Sequence, residues 1–406
     1  MRWGAGSVAG DMTRTAVLAL LARQGPLSRA QIAERLDLSR ATVTQTTRRL
    51  LGQGLVGELD RRPAQSGGGG GRPSVPLSLV PQAAHALGVQ VAHEHVSGVL
   101  TRLDAAIVDR FRQPFDPAAP DAVAELVELI RHQLDEAARQ ALPVMGVGVT
   151  VPGVVDPRTG TLRMSVRLGW TGMPLAARLR AELGVPVLVD NDISAVTAAE
   201  RLYGPGADCA DFLLVAIGQG VGLGMVLDGA PYRGAAGAAG EFGHLPVVPD
   251  GLPCACGNRG CLETLVSTES LLRQAIRLGL VAGPDGRAGG AGAQAAGLAR
   301  LREAADRGEP AAARLLADAG TVLGRALAGS VNLLGPDTVV IMGEIMVLWP
   351  HLAGPFRAAL DAGLLPCVRR IRIDVRAWDD SQVAFGAAGI VLAAPLAVPR
   401  QMARQV

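Results

Sequence analysis

The chain has 406 residues, of which 49% are hydrophobic and 3% aromatic, so it is too long for one ordinary domain and must build its cores from Val, Leu and Ala. The formal net charge is +2, but residues 1–80 hold eleven arginines against five acidic residues, which fits either a head that meets a polyanion or a solvated charged face. The sequence has no run of eighteen uncharged apolar residues and no signal-peptide pattern, which argues against a membrane span and secretion and leads us to expect a cytoplasmic protein.

Residues 1–80, which we call the head, predict three short helices followed by two strands. Apolar residues at helical spacing predict a first helix that ends before residue 25. Ser28 followed three residues later by Gln31 is a capping-box pattern that starts the second helix, and Ser39 is predicted to cap the third. Residues 55–56 and 75–79 are predicted to form the strands of a wing, joined by a glycine-rich loop.

This order of elements is typical of a winged helix-turn-helix, in which the third helix contacts DNA. The outward side chains of that helix are hydroxyls, an amide and guanidinium groups, which suit base edges and phosphates. We predict DNA contacts from the following residues: Ser39, Arg40, Thr42, Thr44, Gln45, Arg48 and Arg49. Arg72, at the tip of the wing, is expected to enter a minor groove. The alternative is a small helical module that binds another protein.

From about residue 81 the pattern changes to strands that alternate with helices. Near-continuous apolar runs are typical of buried parallel strands. Such runs occur at 144–151 and 186–190, and further strands are predicted at 86–91, 98–103, 212–218, 221–227, 338–342 and 371–375. An amphipathic helix is predicted over 121–142, and the Gly- and Ala-rich stretch 282–297 is predicted to be a mobile insertion. We expect two α/β lobes, with domains at 1–80, 81–200 and 201–406 and the option that a C-terminal helix returns to the first lobe.

Three cysteines and a histidine crowd into eighteen residues of the second lobe. They supply three thiolates and one imidazole, a complete tetrahedral shell for Zn²⁺, from His244, Cys254, Cys256 and Cys261. A shell with four protein ligands leaves no open position for water, so the zinc is predicted to be structural. Thiols that merely pack do not explain this spacing. Cys209 and Cys367 stand apart and are predicted to have no role.

Several motifs together resemble the ROK family, which groups sugar-responsive repressors with sugar kinases. Residues 237–244 are similar to the family signature, and residues 254–263 are similar to its zinc loop. Residues 189–192 are similar to the strand end that carries the family's sugar-binding Asn and catalytic Asp, while 151–156 and 168–170 are similar to its sugar-proximal turns. The resemblance covers nearly the whole chain. It implies an α/β fold in which a two-lobed, actin-like and ribonuclease-H-like ROK module follows the N-terminal winged helix-turn-helix.

The resemblance also implies which residues surround the sugar: Gly153, Asn191, Asp192, Glu241, His244 and Glu263. Several fixed acceptors suit a polyol, because carboxylates accept hydroxyl hydrogen bonds more strongly than neutral groups do. His244 would ligate zinc through one ring nitrogen and face a sugar hydroxyl with the other, so the zinc would hold the sugar loop in place. Taken singly, each carboxylate is better explained as a solvated loop residue, but taken together in these motifs the carboxylates are not.

The phosphate-binding turns differ from those of the kinases in this family. Residues 88–96 lack the Asp, the two Gly and the Thr of the kinases' first turn, and Glu94 puts a negative charge there. Gln219 stands where the second turn usually has Thr, and Glu344 adds a carboxylate to the third. We therefore predict that the protein is not an enzyme and that Asp192 is a vestigial base.

These features predict a sugar-responsive transcriptional regulator of carbohydrate metabolism, a repressor that binds operator DNA as a homodimer or a dimer of dimers. A sugar would close the lobes and change the affinity for the operator. Arg167 stands where the family usually has Asn, so the effector could be an acidic or modified sugar. Two alternatives remain: an active sugar kinase with an appended DNA-binding head, and a DNA-bound regulator controlled by a partner protein.

Overall fold

The structure is a computed structural model that describes residues 8–59, 75–282, 291–379 and 381–394. Contacts divide the chain into two compact units. The first unit comprises the residues up to Ala207 together with those from Ser381 onward, and the second unit comprises Asp208–Asp380. Among the described residues, no helix combines the length and the apolar character that crossing a membrane requires.

The head begins the first unit with three helices and a three-stranded sheet of order β1-β3-β2. Its elements are α1 (Val8–Gln24), β1 (Leu27–Ser28), α2 (Arg29–Arg35), α3 (Arg40–Gly52), β2 (Val56–Glu58) and β3 (Pro76–Leu79). The capping box of Ser28 and Gln31 starts α2, and the Ser39 side chain caps α3, so both sequence predictions are confirmed. Ile32 and Leu50 are fully buried in the core that the three helices share.

An arginine holds α2, α3 and the sheet of the head in a fixed arrangement. Nη2 of Arg29, the first residue of α2, lies 2.8 Å from Oε1 of Glu58 on β2. Its Nε donates to the hydroxyl of Thr47 on α3 over 3.2 Å. The loop between β2 and β3, which includes Arg72, lies outside the described residues.

The remainder of the first unit is built on a mixed five-stranded sheet of order β11-β7-β4-β5-β6. Its strands are β4 (His85–Val91), β5 (His95–Arg102), β6 (Ile107–Pro114), β7 (Val144–Val151) and β11 (Val187–Asn191). A smaller sheet contains β8 (Val154–Val155), β9 (Leu162–Ser165) and β10 (Trp170–Met173), and the helices are α4 (Ala122–Arg139), α5 (Leu175–Leu183) and α6 (Asp192–Tyr203). Because β7 and β11 are parallel neighbours, their carboxyl ends lie side by side at one edge, where ligands bind in sheets of this kind.

The C-terminal helix α12 (Gln382–Ala393) packs in the first unit against β4, β7 and α6. Two glycines of the sheet allow this close approach. A Cβ at Gly88 would lie 2.0 Å from the carbonyl oxygen of Ala384, and a Cβ at Gly148 would lie 1.8 Å from that of Ala387. Any larger residue at either position would push the helix off the sheet.

The second unit contains a five-stranded sheet of order β14-β13-β12-β15-β16. Its strands are β12 (Phe212–Ile217), β13 (Val221–Leu227), β14 (Ala230–Pro231), β15 (Thr338–Met342) and β16 (Arg372–Val375). Its helices are α7 (Glu263–Val266), α8 (Thr268–Arg277), α9 (Ala291–Asp306), α10 (Pro310–Leu334) and α11 (Trp349–Gly363). Buried residues of the strands and of α10, such as Leu213, Ile341 and Leu323, share one core.

The predicted insertion at 282–297 was partly wrong. Residues 291–297 form the start of α9, while residues 283–290 lie outside the described part of the chain. Alanine is the strongest helix former, and its abundance here favours a helix over a mobile loop. Gly297 packs against α8, since a Cβ at this position would lie 2.8 Å from Cδ2 of Leu272.

Candidate functional site

The outward face of α3 carries the residues predicted to contact DNA. Val43, Thr47 and Leu50 are buried against the head, so the opposite side of the helix faces solvent. Thr42 is half-buried and the rest of the predicted set is exposed: Ser39, Arg40, Thr44, Gln45, Arg48 and Arg49. Three guanidinium groups and several hydrogen-bonding side chains thus share one accessible surface, which suits a phosphate-lined groove.

His244, Cys254, Cys256 and Cys261 converge in the second unit, and their donor atoms all lie within 4.8 Å of one another. The Sγ atoms of Cys256 and Cys261 are 3.8 Å apart, and Nδ1 of His244 is 3.6 Å from Sγ of Cys254. A tetrahedral zinc site with ordinary bond lengths has edges of about 3.8 Å between sulfurs and about 3.6 Å between sulfur and nitrogen. The four side chains therefore fit a structural Zn²⁺ in donor type and in spacing.

Glycines shape the loop that carries the three cysteines. Gly257 and Gly260 have φ of +94° and +69°, a backbone conformation that favours glycine. A Cβ at Gly260 would lie 1.7 Å from the carbonyl oxygen of Val248. The amide of Cys254 donates to the carbonyl of Asn258, the residue after Gly257, over 2.8 Å and closes the turn.

Three of the predicted sugar residues cluster beside this cysteine loop. His244 directs Nδ1 toward Cys254, and its Nε2 lies 3.7 Å from Oε2 of Glu241. Glu263 starts α7, and its Oε2 accepts a hydrogen bond from the amide of Val221 over 3.1 Å. Partial burial raises the pKa of the Glu241 carboxyl, with a further rise from Glu263 and an opposing effect of His244. Nδ1 of His244 thus faces the cysteines, and Nε2 faces the Glu241 carboxylate.

The other predicted sugar residues meet in the first unit, where β11 ends and α6 begins. Oδ1 of Asn191 accepts hydrogen bonds from two backbone amides of the first turn of α6. Its Nδ2 donates to the carbonyl of Gly153 over 2.8 Å. Gly153 has φ of +119°, and a Cβ there would lie 2.3 Å from the carbonyl oxygen of Met164. Asn191 therefore fixes the start of α6 and the neighbouring turn at the same time.

Asp192 presents a shielded carboxyl at this position. The residue as a whole is half-buried, but its Oδ1 is screened from solvent and has no hydrogen-bond partner among the described residues. The pKa of this carboxyl is raised to about 7, mainly by burial and in smaller part by Asp190, against the opposing effects of the Thr150 hydroxyl and the charge of Arg167. A shielded acceptor without a donor is suited to receive a hydroxyl hydrogen bond from a ligand.

Sequence reasoning missed Thr150 as a neighbour of the candidate site. It lies near the carboxyl end of β7, three residues before Gly153, and its hydroxyl interacts with Asp192. The available signal was its position, since a hydroxyl near the end of a buried apolar strand is placed to face a ligand.

A carboxylate faces the glycine loop that joins β12 to β13. A Cβ at Gly218 would lie 3.3 Å from the carboxyl carbon of Glu344. Oε2 of Glu344 accepts a hydrogen bond from the Thr268 hydroxyl over 3.0 Å, and the Thr268 amide donates to the carbonyl of Gly218 over 2.8 Å. The backbone that would cradle a phosphate therefore has a negative charge beside it, which opposes polyphosphate binding.

Known families match both parts of the chain. The model of the ROK family matches residues 86–394, and the model of the MarR family matches residues 11–59. The N-acetylglucosamine repressor of Escherichia coli O157:H7 is 29% identical over 394 residues, which cover 95% of this chain and 93% of the repressor.

Two solved structures are similar to the fold. A ROK family transcriptional regulator described as a homolog of the E. coli MLC protein has a TM-score of 0.77 and 26% identity, over 95% of this chain and 96% of its own. A ROK family glucokinase from Streptomyces griseus, solved with glucose and AMPPNP, has a TM-score of 0.63 and 26% identity, over 75% of this chain and 98% of its own. The predicted fold class, a helix-turn-helix head before an actin-like module, is confirmed. The chain belongs to the ROK family.

Proposed function

We propose that this chain is a sugar-responsive DNA-binding transcriptional repressor of carbohydrate metabolism that senses its sugar without phosphorylating it. The observation that carries the proposal is a combination of two features. Helix α3 presents an exposed basic face, and the Glu344 carboxylate lies against the glycine loop that joins β12 to β13. The N-acetylglucosamine repressor, which is similar along 95% of this chain, supports the same function.

Two groups of residues are the candidates for sugar binding, and each group lies within one unit. Asn191, Asp192 and Gly153 form the group in the first unit, and Glu241, His244 and Glu263 form the group in the second. Oδ1 of Asp192 is free to accept a hydroxyl hydrogen bond, and the Glu241 carboxylate offers a further acceptor. Carboxylate acceptors give strong and directional hydrogen bonds to a polyol. The Arg167 charge beside Asp192 also makes an acidic or modified sugar a reasonable effector.

His244, Cys254, Cys256 and Cys261 would hold a structural zinc ion. When bound, the metal cross-links the loop and leaves no open coordination position for a reactant. Its role is then to fix the His244 ring, so that Nε2 keeps its place near Glu241. Three thiolate ligands require reducing conditions, which is why we place the protein in the cytoplasm.

DNA binding would involve two copies of the head. Ser39, Arg40, Thr42, Thr44, Gln45, Arg48 and Arg49 would contact the major groove, and Arg72 would reach the adjacent minor groove. A single recognition helix reads few base pairs, so a homodimer on a pseudo-palindromic operator is the expected assembly. Sugar binding would alter the affinity for the operator by favouring one of two conformations.

Sugar kinase activity is the second candidate, because one observation favours it. The pKa of Asp192 lies near 7, the range in which a carboxylate can act as a general base toward a sugar hydroxyl. The similarity to a glucokinase along 75% of this chain fits the same activity. Phosphoryl transfer also needs a cradle for triphosphate, and the Glu344 carboxylate opposes one.

A thermal-shift screen with and without Mg-ATP separates these functions. The panel contains D-glucose, N-acetyl-D-glucosamine, further hexoses and pentoses, and their phosphates and acids. We expect at least one carbohydrate to raise the melting temperature, with a smaller rise in Asp192→Ala or Glu241→Ala, and we expect no effect of Mg-ATP. No shift with any carbohydrate would contradict sugar sensing, and a shift with Mg-ATP accompanied by ADP release would favour the kinase.

A further inference from the structure

Helices α6 and α12 of the first unit pack with their backbones almost in contact. A Cβ at Gly386 of α12 would lie 2.7 Å from the carbonyl carbon of Ala195 and equally close to the amide nitrogen of Val196, both in α6. One turn further along, a Cβ at Gly389 would lie 3.4 Å from Cβ of Ala199. Such a contact has no side-chain rotamers that could absorb a displacement, so the two helices must move together.

The start of α6 is part of the candidate sugar site. Asn191 caps the helix, and Asp192 is its first residue. Through Nδ2, Asn191 also binds the carbonyl of Gly153 over 2.8 Å. A ligand that draws these side chains toward itself therefore pulls directly on the first turn of α6.

The first helix of the head rests on the far part of the same helix pair. Val17 and Leu21 of α1 belong to one continuous buried cluster with Ala198 of α6 and with Ile390 and Leu392 of α12. Helix α1 contacts both α6 and α12. The head is thus packed on the two helices and is not merely tethered to them by the chain.

Two side chains of α1 also bind the C-terminal end of α12. The Thr15 hydroxyl donates to the carbonyl of Ala393 over 2.7 Å, and Nη1 of Arg14 donates to the carbonyl of Ala394 over 3.0 Å. The last carbonyls of a helix have no partner within the helix, so these two bonds satisfy groups that need a donor. They give α1 a directional attachment in addition to its apolar contact.

We propose that the α6–α12 pair is the mechanical link by which a ligand at Asn191 and Asp192 repositions the DNA-binding head through α1. This inference rests on the proposed function, since it describes how the same site is regulated. Because the two helices move together, a small shift of α6 also moves α12, and small shifts at a ligand site can be amplified into larger rigid-body movements of packed elements. Loosening the attachment of α1 should then weaken the effect of sugar on DNA affinity, while the sugar site and the DNA-binding face of α3 stay intact.

The experiment uses the full chain, a duplex enriched from a random library by that chain, and the panel carbohydrate with the largest thermal shift. The variants are Thr15→Val, which removes one hydroxyl donor at nearly constant volume, and Thr15→Val combined with Arg14→Met. Thr321→Val is the matched control, because the Thr321 hydroxyl donates over 2.8 Å to Ala317 within α10. For each protein we measure sugar affinity and the ratio of duplex affinities with and without sugar.

We expect sugar to change duplex affinity of the unsubstituted chain by about 5- to 150-fold. Thr15→Val should move this ratio toward one by about 2- to 10-fold, the effect of one hydrogen bond, and the double variant should move it further. Sugar affinity should stay within about twofold throughout, and Thr321→Val should behave like the unsubstituted chain. If the double variant still binds sugar and duplex and its ratio of duplex affinities with and without sugar is unchanged, the proposed link is wrong, while the proposed function is unaffected. Failure of the unsubstituted chain to bind any panel carbohydrate would instead contradict the proposed function.

A glycine pair tests the link without any sugar. Gly386→Ala forces a methyl group against the α6 backbone, whereas Gly389→Ala makes an ordinary contact with Ala199. Gly386→Ala should change duplex affinity severalfold in the absence of ligand, and Gly389→Ala should not. If Gly386→Ala does not fold, the result for the Thr15 variants decides. Equal duplex affinities of the two folded glycine variants would count against the link.

Discussion

Asp192 combines a shielded carboxyl oxygen without a hydrogen-bond partner among the described residues and a pKa raised by burial to about 7. An unfolded Asp has a pKa near 4, so the protonated form is favoured by folding. As pH rises from about 4 to 7 the unfolded state loses this proton and the folded state keeps it, and stability falls across that window. Without a ligand, the shielded Asp192 carboxyl therefore lowers the free energy of unfolding at neutral pH, as is common where a group is positioned for a ligand.

Asp192→Asn should remove this cost, because the amide does not ionise. A rise of about three pKa units corresponds to about 4 kcal/mol, and since the residue is only half-buried we expect about half of that. The variant should therefore exceed the unsubstituted chain in free energy of unfolding by about 2 kcal/mol at pH 8 and match it at pH 4. Urea unfolding at several pH values between these limits measures the difference. A difference that does not change with pH would show that Asp192 titrates normally.

The cysteine cluster gives a second prediction for single residues. Purified protein should carry about one zinc per chain, and Cys256→Ser should lose the metal and lower the melting temperature by several degrees, because a structural ion contributes to folding. Cys367→Ser is the control, since this thiol is exposed and lies outside the cluster. Metal analysis and thermal unfolding measure both effects. A Cys256→Ser protein with full zinc content would contradict the assignment of the ligands.

At the scale of elements, the sequence was sufficient to predict those features that depend only on residues close together in the chain. The capping box at Ser28 and the cap at Ser39 follow from residue type and spacing alone, and both are present. Strands buried on both faces, such as β7 and β13, are evident as apolar runs. The edge strand β6 was not predicted, because most of its residues are exposed and its sequence lacks a two-residue apolar period.

Helix α3 carries the prediction about DNA. Arg48→Ala should lower affinity for the enriched duplex by about 5- to 150-fold, since one guanidinium contact to a base or phosphate contributes about 1–3 kcal/mol. Arg314→Ala, which changes another exposed arginine, on α10, should leave the affinity unchanged. Fluorescence anisotropy at a fixed salt concentration compares the three proteins. Equal losses for both variants would indicate unspecific attraction by total charge.

The cap of α3 gives a separate prediction. Ser39→Ala removes the acceptor for the Thr42 amide and should destabilise the head by about 1 kcal/mol. Hydrogen exchange of α3 amides should therefore become faster, while exchange in α10 stays the same. Unchanged exchange in α3 would mean that the helix start does not depend on this cap.

At the scale of the whole molecule, motifs allowed more to be predicted than periodicity did. The motifs around Asn191 and His244 identified the family and the residues of both candidate clusters before their geometry was known. Contacts between distant segments could not be predicted in this way. The packing of α12 on Gly88 and Gly148 and the approach of Glu344 to Gly218 depend on tertiary geometry, which no local pattern encodes.

The most direct test of sugar sensing without phosphorylation measures duplex affinity and ADP release in the same samples. The full chain is titrated with the enriched duplex, with and without the panel carbohydrate that binds best, in the presence of Mg-ATP. We predict that the carbohydrate changes duplex affinity at least about fivefold and that ADP release stays at the level without carbohydrate. Carbohydrate-dependent ADP release that Asp192→Asn abolishes, with duplex affinity unaffected by the carbohydrate, would contradict the account.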